Sequence, residues 1–460
     1  MKKIYNIFAV ILTIMVVVGC SSDDGNDQSR AMTINAIYLE DASSGTSIHD
    51  RLISVDSINF VRLGQTIRIQ GTGFSGLKKI LINGYDTYFN NALVTDNNVW
   101  VTLNSKTPVA DADPSVRNSI VLVKDNTKTT YSFVIRAASP SISHFSNTLP
   151  AVGEKVTVYG SNLQEITEII LPGDVLVNTD ITSYDDGDMF DFIMPDGVNE
   201  GGSVFITGAN GNARSASQFN CKAGLIINFD GTGSQGYWSW SETGSMCDDT
   251  DLVDDPLGQN GKCALLVPER LLSADGIVAG KGRATEWWTA GNGNDADDWN
   301  HFVTDGYIQA TDALTDLALQ FDIYCPDAWD KTGQIQITIQ NNISFLGYGS
   351  DETKSSTTQT CVWVPWYENG EPFQTDGWQT VTIPLSQFSK YAGTISDGGT
   401  PTFQDIINDR ASASYCNFGF GFVNTDISDD YPALPFNQRI YIDNLRIVHN
   451  TSETISDFND

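Results

Sequence analysis

Several segments in the last third of this 460-residue chain alternate apolar and polar side chains one for one, and that period of two limits what it can fold into. In "LTDLALQFDIYC", Leu317, Leu319, Phe321 and Ile323 fall on one face of an extended segment, with Asp316, Ala318, Gln320 and Asp322 on the other. "GQIQITIQ" sets Ile335, Ile337 and Ile339 against Gln334, Gln336 and Thr338, and "WQTVTIPLSQF" repeats the pattern with Val381, Ile383 and Leu385. "NFGFGFV" alternates Phe418, Phe420 and Phe422 with Gly419 and Gly421, and "RIYIDNLRIV" supplies a last strand. After the apolar N-terminal run, no stretch sustains a helical period. The expected fold is all-β, with a jelly-roll-like antiparallel sandwich over residues 223–450 and a frayed polar tail over 451–460.

Two smaller regions precede it. In "LGQTIRIQGTGFSGLKKILINGYDT", Ile67 and Ile69 alternate with Thr66, Arg68 and Gln70, glycines follow, and a second strand runs into Asn83-Gly84, a hairpin signal. "LPAVGEKVTVYGSNLQEITEIILPG" repeats the plan, and "FDFIMPDGVNEGGSVFITGANG" closes it. Residues 33–137 and 138–222 therefore resemble tandem IPT/TIG immunoglobulin-like sandwiches, in which "G-x-x-V-T-I-x-G-x-x-L" and "F-x-M-P" are typical. The resemblance implies spacers or contact surfaces without a catalytic site.

The N-terminus reads as an export signal. Lys2 and Lys3 precede an apolar run from Ile4 to Val18 that ends in "VVGC" at Cys20, too short for the roughly 20 residues that span a bilayer. Residues 1–20 resemble a bacterial lipoprotein signal with Cys20 as the lipidated residue. The acidic, polar stretch 21–32 reads as a tether, and it resembles the signal that sends Bacteroidetes lipoproteins to the outer face of the outer membrane. The formal charge of −31 repels phosphate backbones, which excludes nucleic acid, and acidic polymers are poor ligands for the same reason. Cys221, Cys247, Cys263, Cys325, Cys361 and Cys416 form no CxxC pair, and their disulfide pairing is open among 15 arrangements. His49, His144, His301 and His449 stand apart from one another, which argues against a histidine-based site.

Tryptophan is unevenly spread: only Trp100 of ten lies before residue 225. Trp287 and Trp288 sit in a glycine-rich acidic loop, Trp329 follows a strand, and "TCVWVPWYENGEPFQTDGW" carries Trp363, Trp366, Tyr367 and Trp378. Exposing such a ring forfeits roughly 1.5–3 kcal/mol of burial, so aromatics in polar loops point to a ligand surface. We expect Trp288, Trp329 and Trp363 on display and Trp378 in the core. The acidic run Asp248, Asp249, Asp251, Asp254 and Asp255 is a weak candidate for a structural Ca²⁺ site without EF-hand spacing, and no other cofactor is expected.

The C-terminal segments "FDIYCPDAWDKTGQIQITI", "WVPWYENGEPFQTDGWQTVTIPLSQF" and "RIYIDNLRI", behind two IPT/TIG-like modules and a lipoprotein signal, resemble the surface glycan-binding proteins of Bacteroidetes polysaccharide utilisation loci. The resemblance implies a non-catalytic lipoprotein that holds a neutral plant-type glycan. Xyloglucan, mixed-linkage β-glucan and mannan are the candidates. It also implies delivery to surface glycanases and a SusC/SusD-type transporter. It assigns glycan contact to Trp329, Trp363 and Trp366, with Trp287, Trp288 and Tyr367 as further candidates. For Trp366 two readings stand open: the resemblance puts it in the site, whereas alternation with Val362 and Val364 puts it in the core unless Pro365 breaks the register. Two rival functions are a calcium-stabilised adhesin and a glycoside hydrolase, the latter requiring a carboxylate pair about 5–10 Å apart.

Overall fold

The computed structural model describes residues 30–41, 52–53, 56–215, 219–231, 246–259, 261–272, 284–289, 297–341, 345, 357–392, 399–450 and 455–456. Cys20 and the export signal lie outside the described residues, as do Trp238 and Trp240. The protein is all-β, organised as two compact units, Met1–Ile135 and Arg136–Asp460.

The first unit is a sandwich of short antiparallel sheets. One runs Leu52–Ile53, Thr33–Asp41, Thr66–Thr72, Asn98–Thr102; another runs Tyr85–Thr87, Lys79–Ile82, Ser119–Val123, Lys128–Ser132. Ile67, Ile69, Ile80, Ile82, Val99, Val101, Ile120 and Leu122 are all buried, so the alternation read from sequence is the inward face. Asn83 and Gly84 both take positive φ, 47° and 80°, and close the expected hairpin.

The second unit opens with a sandwich built on the same plan. Its sheets run Ser141–Phe145, Lys155–Ser161, Met189–Ile193, Thr182–Ser183 and Val175–Val177, Glu168–Leu171, Phe205–Gly208, Gly211–Arg214. The likeness between the two sandwiches extends to atoms. In each, the first strand is bulged, between Ile34 and Ala36 or between Ile142 and His144, and pairs with a strand ending in Gly71-Thr72 or Gly160-Ser161. Thr33 and Thr72 share a 2.8 Å hydroxyl contact, and Ser141 and Ser161 share another of 2.8 Å. A Cβ on Gly71 would lie 1.8 Å from the Thr33 carbonyl oxygen, and one on Gly160 would lie 1.9 Å from that of Ser141. The repeated glycine is thus a requirement of close strand approach.

The remaining chain forms a larger sandwich. One sheet orders Leu252–Asp254, Lys262–Leu265, Tyr441–His449, Leu317–Tyr324 and Gln379–Pro384, with Leu225–Ile227 also pairing to Tyr441–His449. The other orders Ala284–Trp288, Gly419–Val423, Gln334–Thr338 and Thr360–Trp363. Leu319, Phe321, Ile323, Ile383 and Ile447 from the first meet Ile335, Ile337, Phe418, Phe420 and Phe422 from the second in one core.

Three expectations change here. The polar face of Leu317–Tyr324 does not meet solvent: Gln320 and Asp322 are each only 2% exposed. Asp322 receives Arg446, Asn444, Thr380 and Thr148, the last from the preceding sandwich, so hydrogen bonding compensates for burial. The tail is not frayed throughout, because Ile455–Ser456 pairs with Gly211–Arg214 as an added edge strand. A ten-residue helix, Phe403–Ser412, also forms, capped by the reciprocal hydrogen bonds of Thr402 and Asp405. Its T-x-x-D start was the visible signal, and Phe403, Ile406 and Arg410 anchor it.

Candidate functional site

The aromatic-rich stretch resolves residue by residue. Strand Thr360–Trp363 ends where Pro365 opens a one-turn helix, Pro365–Asn369, which Gly370 closes in the left-handed region at φ 70°. Within that turn consecutive side chains point in different directions. Trp366 is turned inward, 2% exposed, and its indole N–H donates to the Gly333 carbonyl at 3.2 Å. Tyr367 is turned outward and is 52% exposed. Alternation therefore placed Trp366 in the core correctly, but the cause is the helical turn at Pro365.

Tyr367 does not stand alone. Its ring meets Tyr431 edge-on, centroids 5.4 Å apart at 90°, and Tyr431 lies 5.4 Å from Trp366. Tyr431 is held by a tight turn: its N–H donates to the Ser428 carbonyl and the Ile427 N–H donates to the Tyr431 carbonyl, each at 3.0 Å. An exposed tyrosine and a half-buried one thus rest on a buried indole that is pinned to the residue leading into strand Gln334–Thr338. Glu368, Asn369, Asp429 and Asp430 surround them as exposed polar groups. The arrangement supplies aromatic faces for apolar C–H surfaces and nearby acceptors and donors for hydroxyls. Sequence reasoning missed Tyr431; an aromatic in the acidic loop "SDDYP" was its signal.

The other candidates are interior. Trp329 is fully buried: it exchanges two 2.9 Å backbone hydrogen bonds with Phe373, and its indole N–H reaches the Thr332 carbonyl at 2.7 Å. Trp363 is half-buried at the rim of the sandwich. It points inward to Phe321 of the facing sheet and packs edge-on against Phe373 at 5.3 Å. Trp287 lies in the core, stacked with Phe420. Trp288 lies on the opposite face of the same strand, 5% exposed, covered by Phe345, with its indole N–H on Glu286 at 3.0 Å. Gly419 makes room for it, since a Cβ there would meet the Trp288 ring at 2.3 Å. The expected display of Trp288 and Trp329 is thus overturned, because each indole finds an internal acceptor and an apolar bed. Trp378 is buried as expected, donating to Asp255 at 2.9 Å.

The acidic run does not gather around a cation. Asp248 caps the short turn Asp249–Asp251 in a reciprocal pair with Asp251, whose carboxylate takes both Nε and Nη2 of Arg270 at 2.6 and 2.5 Å. Ion pairing and capping consume the oxygens a Ca²⁺ would need. Among the described residues no cluster of three metal-ligating side chains forms. Cys247, Cys263, Cys325 and Cys361 are separate buried thiols, and burial pushes Cys325 and Cys361 up to about 12.

Residues 219–449 match the family model for the surface glycan-binding protein B xyloglucan binding domain. An IPT/TIG domain-containing protein of Bacteroides ovatus is 24% identical over 311 residues, covering 67% of this chain and 52% of its own length, so this chain spans about half of that relative. The crystal structure of the surface glycan-binding protein PbSGBP-B from Prevotella bryantii superposes with a TM-score of 0.55 at 21% identity, over 92% of this chain and 99% of that one. That likeness supports the sandwich architecture.

Proposed function

This chain belongs to the surface glycan-binding protein B family, whose domain model spans half of it, and from that premise we propose that it captures a neutral plant-type polysaccharide on the Tyr367–Tyr431 platform without cleaving it. The single observation that carries the reading is the exposed Tyr367 and half-buried Tyr431, 5.4 Å apart on a buried, hydrogen-bonded Trp366. Rigid support of this kind lowers the ordering that binding requires. Stacking needs flat rings and hydroxyl partners, and it needs no activated nucleophile. A xyloglucan or mixed-linkage β-glucan backbone, or a mannan, presents that chemistry. Lipidation at Cys20 would hold the protein at the outer membrane, and capture there would feed surface glycanases and a SusC/SusD-type transporter. Trp363, half-buried at the sandwich rim, is a secondary candidate for contact.

Three buried acids held in ion pairs favour binding over hydrolysis. Asp251, Asp297 and Asp322 are committed to Arg270, Arg410 and Arg446. Affinity electrophoresis against xyloglucan, mixed-linkage glucan, mannan and laminarin, with a reducing-end assay on the same mixtures, tests the proposal. Retention by at least one neutral glycan with no sustained release of reducing ends is expected. Sustained release would replace the reading with a glycoside hydrolase, and no retention by any of the four would favour an adhesin.

A further inference from the structure

The first sandwich carries an exposed aromatic feature that spacing two domains does not require. Tyr88 is 85% exposed and Leu93 is 55% exposed, both in the segment that follows strand Tyr85–Thr87. They border an open pocket of about 440 Å³ whose other wall holds Trp100, Thr102 and Asn104. That volume falls within the roughly 300–1,000 Å³ of ligand clefts. Trp100 comes from the edge strand Asn98–Thr102, where Val99 and Val101 turn into the core, so the indole projects from the outer face and stays half-exposed.

The lining contains no carboxylate, lysine, arginine or histidine, in a chain of formal charge −31. The nearest cation in register, Arg68 opposite Trp100, is turned away: its Nε donates to Glu40 at 2.7 Å and its guanidinium lies 4.3 Å over Tyr38. Two amides complete the rim with their oxygens already used. Asn90 Oδ1 accepts from the Ala92 N–H at 3.0 Å, and Asn104 Oδ1 accepts from the Lys106 N–H at 2.8 Å. In each, Nδ2 donates to no other described residue, and it is oriented by the fixed oxygen. A tryptophan on an edge strand can serve simply to guard the edge. Such a guard does not account for Tyr88, which comes from a different segment and covers little of anything.

We propose that this pocket is a second glycan-binding site: a neutral oligosaccharide stacks on Trp100 and Tyr88 while Asn90 and Asn104 donate to its hydroxyls. An uncharged, aromatic-walled, amide-rimmed cleft matches a neutral sugar better than an ionic ligand. The choice of a neutral glycan agrees with the proposed function, but the residues involved are independent of the C-terminal platform.

Hydrogen–deuterium exchange on the full chain reads the two places separately. Xyloglucan and mixed-linkage β-glucan oligosaccharides are expected to protect peptides covering residues 85–104. The protection should persist in a Tyr367→Ala/Tyr431→Ala variant and vanish in Tyr88→Ala. Because Tyr88 is 85% exposed, that variant keeps its fold even if Trp100→Ala does not. Absence of protection at 85–104 with every neutral oligosaccharide, or protection that survives both Tyr88→Ala and Trp100→Ala, overturns the proposal. Capture of a purified surface protein that Tyr88→Ala abolishes, with no glycan effect, overturns the ligand class. Loss of protection only around 365–367 and 425–431 overturns the C-terminal reading and leaves this one standing.

Discussion

Thr148 Oγ1 donates a 2.7 Å hydrogen bond to Asp322 Oδ2, and through that contact the second sandwich is tied to a charge buried under the C-terminal one. Asp322 also takes both terminal guanidinium nitrogens of Arg446 at 3.3 Å, Asn444 at 3.0 Å and Thr380 at 2.9 Å, while Arg446 itself is fully buried. The two sandwiches of this unit therefore meet over a compensated ion pair.

Removing one partner leaves the other charge buried without compensation. Asp322→Ala is expected to destabilise the second unit by about 3–5 kcal/mol, read as a drop in the denaturant midpoint. Thr148→Val deletes one neutral donor and should lower stability by about 1 kcal/mol. Equal effects of the two would contradict the network.

The repeated strand-end glycine makes a paired prediction. Gly71→Ala and Gly160→Ala each push a methyl group against a backbone carbonyl, at 1.8 and 1.9 Å. Each should destabilise its own sandwich by about 1–3 kcal/mol or more, measured by limited proteolysis of the affected region. Unchanged proteolysis would mean that the strands approach less closely than described.

His144 supplies a pH dependence. It is stacked on Tyr159 with centroids 4.4 Å apart, and burial holds its pKa down at about 4 against a smaller opposing pull from Asp376. The unfolded chain titrates near 6.5 and so binds the proton first as pH falls. Between about pH 6.5 and 4 the unfolded state holds more protons, and stability declines across that window. Replacing His144 with Phe should flatten this part of the melting-temperature profile; an unchanged slope would exclude the histidine as its source.

The buried thiols give a labelling test. Raised by burial, Cys247, Cys263, Cys325 and Cys361 should resist iodoacetamide at neutral pH in the native protein and react after denaturation. Native labelling at these positions, read by peptide mass, would contradict their burial.

Strand positions were legible because burying one face imposes a period of two, and Leu319, Phe321, Ile335, Ile337, Phe420 and Phe422 all lie in the core. The fate of each polar face was not legible. Alternation cannot say whether Gln320 and Asp322 meet water or a neighbouring sandwich, and here Asp322 meets Thr148. The tryptophans misled for a related reason. Polar neighbours in sequence made Trp329 and Trp288 look exposed, yet their indole N–H groups find Thr332 and Glu286 inside. Tyr431 escaped notice because its partner Tyr367 is far away in the chain and only the fold joins them.

The central claim is that Tyr367 and Tyr431 together form the surface that holds glycan. Titration calorimetry of the full chain with xyloglucan and mixed-linkage glucan oligosaccharides, run in a Tyr88→Ala background so that only this surface is read, and comparing that parent with added Tyr367→Ala, Tyr431→Ala and the double variant, addresses it directly. Each ring should contribute roughly tenfold or more to affinity, with the double variant nearly silent and its melting temperature close to native. Undiminished affinity in the double variant would contradict the account.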